Sequence, residues 1–262
     1  MRKMATGLVS CFLAAAGLRA QTPERATVIL GAGRAGSWDT RISVTNADFN
    51  PIHVIFTAQP DRSSCSAAPC NDFAETTIPG HGTFVLESIP EPLQPGFSNA
   101  PQALYVLSPS DQNAPAVSAA AFDSASDCGR QTTLQVLALG DAFNPGDMFF
   151  PGIRRDGGSY ANLIVTLDAS AAARSFVGVG IVTPEGDLIN AGDYDLDPGQ
   201  TLLIQDVVGA FGIESLDGGA ISLSKFFIPN RYEFTPFAAT VMQVEPGRVA
   251  TVTGARNRLQ LQ

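Results

Sequence analysis

The sequence predicts an all-β chain of two tandem antiparallel β-sandwiches, and three observations predict it. The stretch Trp38-Asp-Thr-Arg-Ile-Ser-Val-Thr is echoed 122 residues later by Tyr160-Ala-Asn-Leu-Ile-Val-Thr-Leu, a separation far longer than the roughly 20 to 50 residues of solenoid and propeller repeats. Within that stretch Trp38, Thr40, Ile42 and Val44 alternate with Asp39, Arg41, Ser43 and Thr45, the period-two pattern of a half-buried strand. Twenty-five glycines and 18 prolines cut the chain into short runs of this kind, and helical periodicity is absent. About eight short strands per repeat with frequent turn residues make the expected sandwiches immunoglobulin-like.

In chain order, Met1 to Ala20 reads as a secretory signal peptide: a basic start at Arg2 and Lys3, an apolar run from Met4 to Leu18, then Arg19-Ala20-Gln21. The run is shorter than the roughly 20 apolar residues a membrane span needs. Leu8-Val9-Ser10-Cys11 is the rival reading, a lipoprotein cleavage box, but it would cut the apolar stretch in half. Removal of residues 1 to 20 leaves 13 basic against 25 acidic side chains, a formal charge of −12. Such a surface repels nucleic acid and anionic membrane.

Module 1, residues 24 to 140, is expected to hold strands at Ala26 to Leu30, Trp38 to Thr45, His53 to Ala58, Phe73 to Ile78, Thr83 to Ile89, Ala103 to Leu107, Ala116 to Phe122 and Thr132 to Leu139. Asn46 to Pro51 and Ile78 to Gly82 carry turn chemistry, and Gln59 to Asp72 is a long loop. Module 2, residues 145 to 255, repeats the order with strands at Met148 to Ile153, Tyr160 to Leu167, Phe176 to Thr183, Leu188 to Leu196, Thr201 to Val207, Ala220 to Phe227, Phe237 to Val244 and Arg248 to Thr253. A single helical turn is hinted between Asp206 and Phe211. Pro79-Gly80 pairs with Pro198-Gly199, and Ala103 with Ala220.

These residues carry a resemblance. Trp38-Asp39-Thr40-Arg41-Ile42 with Asn46, Ile78-Pro79-Gly80 and Glu87 in module 1, and Tyr160-Ala161-Asn162-Leu163, Leu196-Asp197-Pro198-Gly199 and Asp206 in module 2, resemble uncharacterised secreted bacterial proteins built of tandem β-sandwich modules. The resemblance implies the fold and adds no activity.

Four features could carry chemistry. Gly31-Ala-Gly33-Arg-Ala-Gly36 is a literal G-x-G-x-x-G, but the dinucleotide fingerprint needs a helix after the last glycine, and a strand is expected there. The expected role is a loop between strands, with no cofactor. Asp193, Asp195 and Asp197 with Gly199 look like a calcium loop, yet Pro198 holds the place of the required glycine and no glutamate follows at the twelfth position. An acidic strand face is the plainer reading, with calcium as the alternative. His53 and His81 are the only histidines. With no G-x-S-x-G elbow in the chain, neither supports a catalytic triad. Trp38 and Tyr160 lead the apolar faces of equivalent strands and are expected in the core, rather than on a sugar-stacking platform.

In an oxidising compartment the mature chain keeps Cys65, Cys70 and Cys128, an odd number. Cys65 with Cys70 is the expected disulfide, because closing it needs only a local turn. A Cys65 to Cys128 bridge is the alternative if strands alternate up and down. The expected function is that of a secreted, non-catalytic protein with a structural or protein-interaction role in the envelope or extracellular space. The alternative is a calcium-dependent or aromatic-mediated carbohydrate-binding protein. Expected partners are an envelope or extracellular protein or glycan, without nucleic acid and without a membrane span.

Overall fold

A computed structural model describes residues 24–34, 37–58, 72–90, 102–125, 131–139, 147–168, 171, 174–225, 236–246, 248–252 and 254–256. The signal segment and Cys11, Cys65, Cys70 and Cys128 lie outside them. The fold is all-β. The first half contributes β1 (Glu24–Ala32), β2 (Trp38–Thr45), β3 (Ile52–Thr57), β4 (Asp72–Ile78), β5 (Thr83–Leu86), β6 (Gln102–Pro109), β7 (Ala116–Asp123), β8 (Gln131–Thr133) and β9 (Gln135–Ala138). The second contributes β10 (Met148–Arg155), β11 (Tyr160–Leu167), β12 (Ser175–Val182), β13 (Leu188–Leu196), β14 (Thr201–Ile204), β15 (Leu216–Lys225), β16 (Phe237–Glu245), β17 (Arg248–Val252) and β18 (Ala255–Arg256), with a one-turn helix α1 (Val207–Ala210). No helix among the described residues is long and apolar enough to cross a membrane.

Four antiparallel sheets result. Sheet one runs β5-β2-β7-β8, sheet two β4-β3-β6-β1-β9, sheet three β14-β11-β16-β17 and sheet four β13-β12-β15-β10-β18. Adding nine to each strand number turns sheet one into sheet three and sheet two into sheet four, so the duplication seen in the sequence is a duplication of topology. In each half β3 with β4, β2 with β5 and β1 with β6, or their counterparts, form nested antiparallel pairs. An immunoglobulin sandwich sets its first two strands side by side in one sheet. Here β1 and β2 lie in different sheets, so the strand order departs from the immunoglobulin-like expectation.

The side-chain alternation of the strands builds the cores. Ile42, Val44, Ala119 and Ala121 of sheet one meet Ile29, Val54, Phe56, Leu104 and Val106 of sheet two. Between sheets three and four, Leu163, Val165, Phe237 and Val241 meet Phe150, Val177, Val179 and Ile221. A third layer of contact joins the halves. The other face of sheet two, with Val28, Leu30, Ala103, Tyr105 and Leu107, packs with Ala238 of sheet three, and Ile164, Met242 and Val249 of sheet three enter the first half's core. Thr251 Oγ1 donates to the Thr133 carbonyl at 3.0 Å, a further bond between the halves. The four sheets therefore form one stack in which sheets two and three are buried on both faces. Continuous apolar runs such as Ala103 to Leu107 follow from that double burial.

The structure shifts the repeat by one residue. Thr45 and Thr83 pair across β2 and β5 with their hydroxyls 2.9 Å apart, and Thr166 and Thr201 do the same across β11 and β14. That register makes Leu163 the counterpart of Ile42, Ser159 that of Trp38, and Tyr160 that of Asp39. Trp38 is half-buried against the first core, as expected. Tyr160 points the other way and is 39% exposed, which corrects the expectation of a matching core anchor. The same register aligns Gly199 with His81, one residue away from the Pro-Gly match read from sequence. Two terminal strands also differ from expectation: at Leu134 the segment between β8 and β9 leaves sheet one for sheet two, and the segment between β17 and β18 likewise passes from sheet three to sheet four.

Candidate interaction surfaces

The glycine motif is a structural joint. Gly31, at φ 78°, sits at the bulge between Leu30 and Ala32, where β1 shifts register against β6. Gly152, at φ 75°, holds the equivalent bulge of β10. The Gly33 N–H donates to the Thr40 hydroxyl oxygen and the Thr40 hydroxyl donates to the Gly33 carbonyl, each at 2.9 Å, and the strand β2 follows. Gly36 lies outside the described residues. Among the described residues the element that follows is a strand, where the dinucleotide fingerprint calls for a helix.

Asp193 and Asp195 stand on the outward face of the edge strand β13, with Asp197 just past its end. The β12–β13 hairpin pairs Ser175 with Leu196, which brings Arg174 opposite Asp197. Arg174 donates to both Asp197 oxygens, Nε to Oδ1 at 2.8 Å and Nη2 to Oδ2 at 3.2 Å, and its Nη1 lies 3.9 Å from Asp195. This forked pair holds the Asp197 carboxyl below its ordinary range and raises the guanidinium. The cation that Asp195 and Asp197 face is thus an arginine of the same chain. Among the described residues no three His, Cys, Asp or Glu side chains converge as a metal site.

The polar clusters around Asp39, Gln243 and Asp206 bind the chain to itself. Buried Asp39 accepts from the N–H groups of Thr40 at 2.7 Å and Ile89 at 3.1 Å and from the Ser88 hydroxyl, which ties the start of β2 to the chain beyond β5. Gln243 gives and takes bonds with the backbone of Arg154, at 2.9 and 3.1 Å, where the register of β10 against β15 shifts between Ile153 and Arg154. Asp206 caps α1 by accepting from Gly209 N–H at 3.1 Å, and Arg155 clamps it with Nε 3.0 Å from both carboxylate oxygens. That clamp raises the Arg155 guanidinium. Asp156, by contrast, is held low by backbone N–H groups of Gly158 and Ser159.

His53 lies on β3 with Nε2 3.8 Å from Glu75 and Nδ1 3.4 Å from Thr77. His81 lies more than a strand away, in the turn between β4 and β5, so the two histidines share no site. At that turn Phe49 is 87% exposed and meets His81 edge to face, with ring centroids 4.5 Å apart. In the sequence both residues carry only turn signals.

The second exposed apolar region is the outward face of sheet four. It is the counterpart of the sheet-two face that is buried between the halves. By register, Phe149 and Pro151 replace Val28 and Leu30, Gly178 and Gly180 replace Ile55 and Thr57, and Ser222 and Ser224 replace Tyr105 and Leu107. The face is small-residued, with Phe149, Phe176 and Leu188 exposed upon it. Val182 and Leu188 pair across β12 and β13, so Pro151, Ala220, Val182 and Leu188 form one row beside Phe149. No protein-family model, curated protein or solved structure matches the chain.

Proposed function

We propose that the chain is a secreted, non-catalytic β-sandwich protein with a structural or protein-interaction role in the envelope or extracellular space. The observation that carries this reading is the outward face of sheet four. Its counterpart in the first half is a face already occupied within the chain, whereas among the described residues no element covers Phe149, Phe176 and Leu188 on sheet four. Apolar side chains on a sheet suit association with another apolar surface. Asp39, Asp156, Asp197 and Asp206 are engaged in capping, clamping and loop closure, which supports a role without catalysis. Export rests on the signal-like segment Met1 to Ala20.

A pull-down from the native envelope tests the reading, with and without calcium and scored for both proteins and glycans. Wild-type protein is expected to retain a protein partner that a Phe149→Asp/Leu188→Asp variant loses while keeping its melting temperature. Retention of glycan alone, or of the same partner by the variant, would overturn it. A second reading, aromatic-mediated carbohydrate binding, is favoured by one observation, the exposed ring of Phe49 beside His81. The calcium-dependent form of that reading has Arg174 against it.

A further inference from the structure

A lone exposed phenylalanine is ordinary on a protein surface, but Phe49 is held in a rigid seat. The buried Asn46 side chain donates to the carbonyls of Asn50 at 2.8 Å and of Ile78 and Pro79 at 3.2 Å, and accepts from Asp48 N–H at 3.0 Å. These bonds weld the 46–51 turn to the 78–82 turn. His81 N–H closes the same joint by donating to the Asp48 carbonyl at 3.0 Å. The backbones approach so closely that a Cβ on Gly80 would lie 2.0 Å from the Phe49 carbonyl oxygen. A loop pinned in this way presents its ring with little ordering cost on binding.

His81 is strained, and its repeat counterpart shows that the strain is not needed for the turn. It holds φ 58°, a left-handed conformation that disfavours residues with a Cβ, while the aligned residue of the second half is Gly199 at φ 76°. Both turns make the same short bond, Gly82 N–H to the Pro79 carbonyl and Gln200 N–H to the Asp197 carbonyl, each at 2.9 Å. What the histidine adds is its ring against Phe49. Strain of this kind is a mark of functional positions when it is observed directly.

Polar groups belong to the same joint. Asn113 grips the Asp48 carboxylate through its side-chain amide at 2.6 Å and its backbone N–H at 3.3 Å. A carboxylate coupled to an amide supplies acceptors and a donor to neighbouring hydroxyls, and the open aromatic face accepts the C–H face of a sugar ring. We infer that Phe49, His81, Asp48 and Asn113 form a carbohydrate-binding site. A pyranose ring stacks on Phe49, with its hydroxyls on the Asp48 carboxylate, the Asn113 amide and the His81 imidazole. One exposed ring with a few polar partners gives affinity on the order of 1 mM.

The inference deepens the carbohydrate reading and fails separately from it. The test is NMR titration of the full mature chain with cellotriose, chitotriose and maltotriose, each to about 10 mM. At least one sugar is expected to shift resonances of Phe49, His81 and Asn113. Phe49→Ala is expected to weaken that binding more than about tenfold, and His81→Gly to weaken it without lowering the melting temperature, since glycine relieves the left-handed strain. A Glu185→Ala control, in an exposed turn of the second half, should bind as wild type does. Shifts centred on Phe176 would leave carbohydrate binding standing and overturn this site. Silence toward all three sugars overturns the site as well, as does binding that survives Phe49→Ala. An envelope protein lost on Phe49→Ala in the absence of sugar binding would mark the tip as a protein contact instead.

Discussion

Gly31 of the first half lies against Ile164 of the second: a Cβ added at Gly31 would stand 3.3 Å from Ile164 Cδ1, with Thr240 Cγ2 and Met242 Sδ each at 3.5 Å. The glycine serves two needs at once, the positive φ of the bulge and the close approach of sheet three. Gly31→Ala should therefore cost about 1 to 3 kcal/mol, the left-handed penalty plus a tightened contact. Because the contact is shared, both halves should lose stability together. Hydrogen exchange by mass spectrometry checks this, and protection lost from β1 and β6 while β11 and β16 keep theirs would refute a joint core.

Trp38→Ala extends the same argument. Two independently folding modules would let such a change unfold the first and leave the second nearly untouched. The shared packing of Ile164, Met242 and Val249 with the first core argues for a common transition instead. Trp38 is only half-buried, so the loss should fall near or below the lower end of the roughly 3 to 5 kcal/mol seen for fully buried aromatics. Differential scanning calorimetry should show one endotherm moving to lower temperature. Two endotherms, one of them at the wild-type position, would restore the picture of independent modules.

Strand existence and order were legible because alternation and turn residues are local signals. β13 was bounded correctly from Leu188 to Leu196 by its flanking Gly-Asp and Asp-Pro-Gly. The repeat register was misread because the match of two aromatics, Trp38 and Tyr160, outweighed the match of Thr45 with Thr166 and Thr83 with Thr201. Those threonine pairs fix the register physically. The stacking of the halves was visible in principle in the unbroken apolar runs Ala103 to Leu107 and Leu163 to Val165, which a sheet with one wet face does not need. The Phe49–His81 contact was not legible, since it joins two turns about thirty residues apart. Arg174 was missed for a related reason: its partnership with Asp197 appears only once β12 and β13 are paired.

The arginine makes a direct prediction about calcium. Millimolar calcium should leave the melting temperature of the wild-type protein unchanged, because Arg174 already neutralises Asp197 and lies near Asp195. A rise of several degrees, read by scanning fluorimetry, would revive the calcium reading. The acid limb follows from the same pair. Asp197 and Asp156 have lowered carboxyl values, so their contribution is present above the ordinary carboxylate range and is lost as pH falls through it. Arg174→Ala should flatten that loss.

Thr240 carries a buried hydroxyl that has no hydrogen-bond partner among the described residues. It sits on the side of sheet three that faces Gly31, where water has been excluded and the oxygen pays desolvation without return. Thr240→Val keeps the shape and removes that cost. The variant should be more stable by about 1 kcal/mol, measured by urea denaturation. A destabilised variant would mean that the hydroxyl has found a partner in solution.

Tyr105 links the halves through its ionisation. Its side chain is 2% exposed in the layer between sheets two and three. Burial foremost, and then the Asp168 carboxylate of the second half, push its phenol well above the ordinary value. The folded protein thus holds Tyr105 neutral at a pH where an unfolded tyrosine has lost its proton. Since the folded value is raised, stability from this residue is intact below the unfolded value of about 10 and declines as pH climbs above it. Each unit of pH in that window should remove about 1.4 kcal/mol on account of this one proton. Tyr105→Phe should be less steep by that amount between about pH 10 and 12, while costing little at neutral pH beyond the loss of the phenol's own contacts. Urea midpoints measured across the alkaline range decide it: equal slopes for wild type and variant would show that Tyr105 ionises as freely in the fold as outside it, and that the layer between the sheets is open to water.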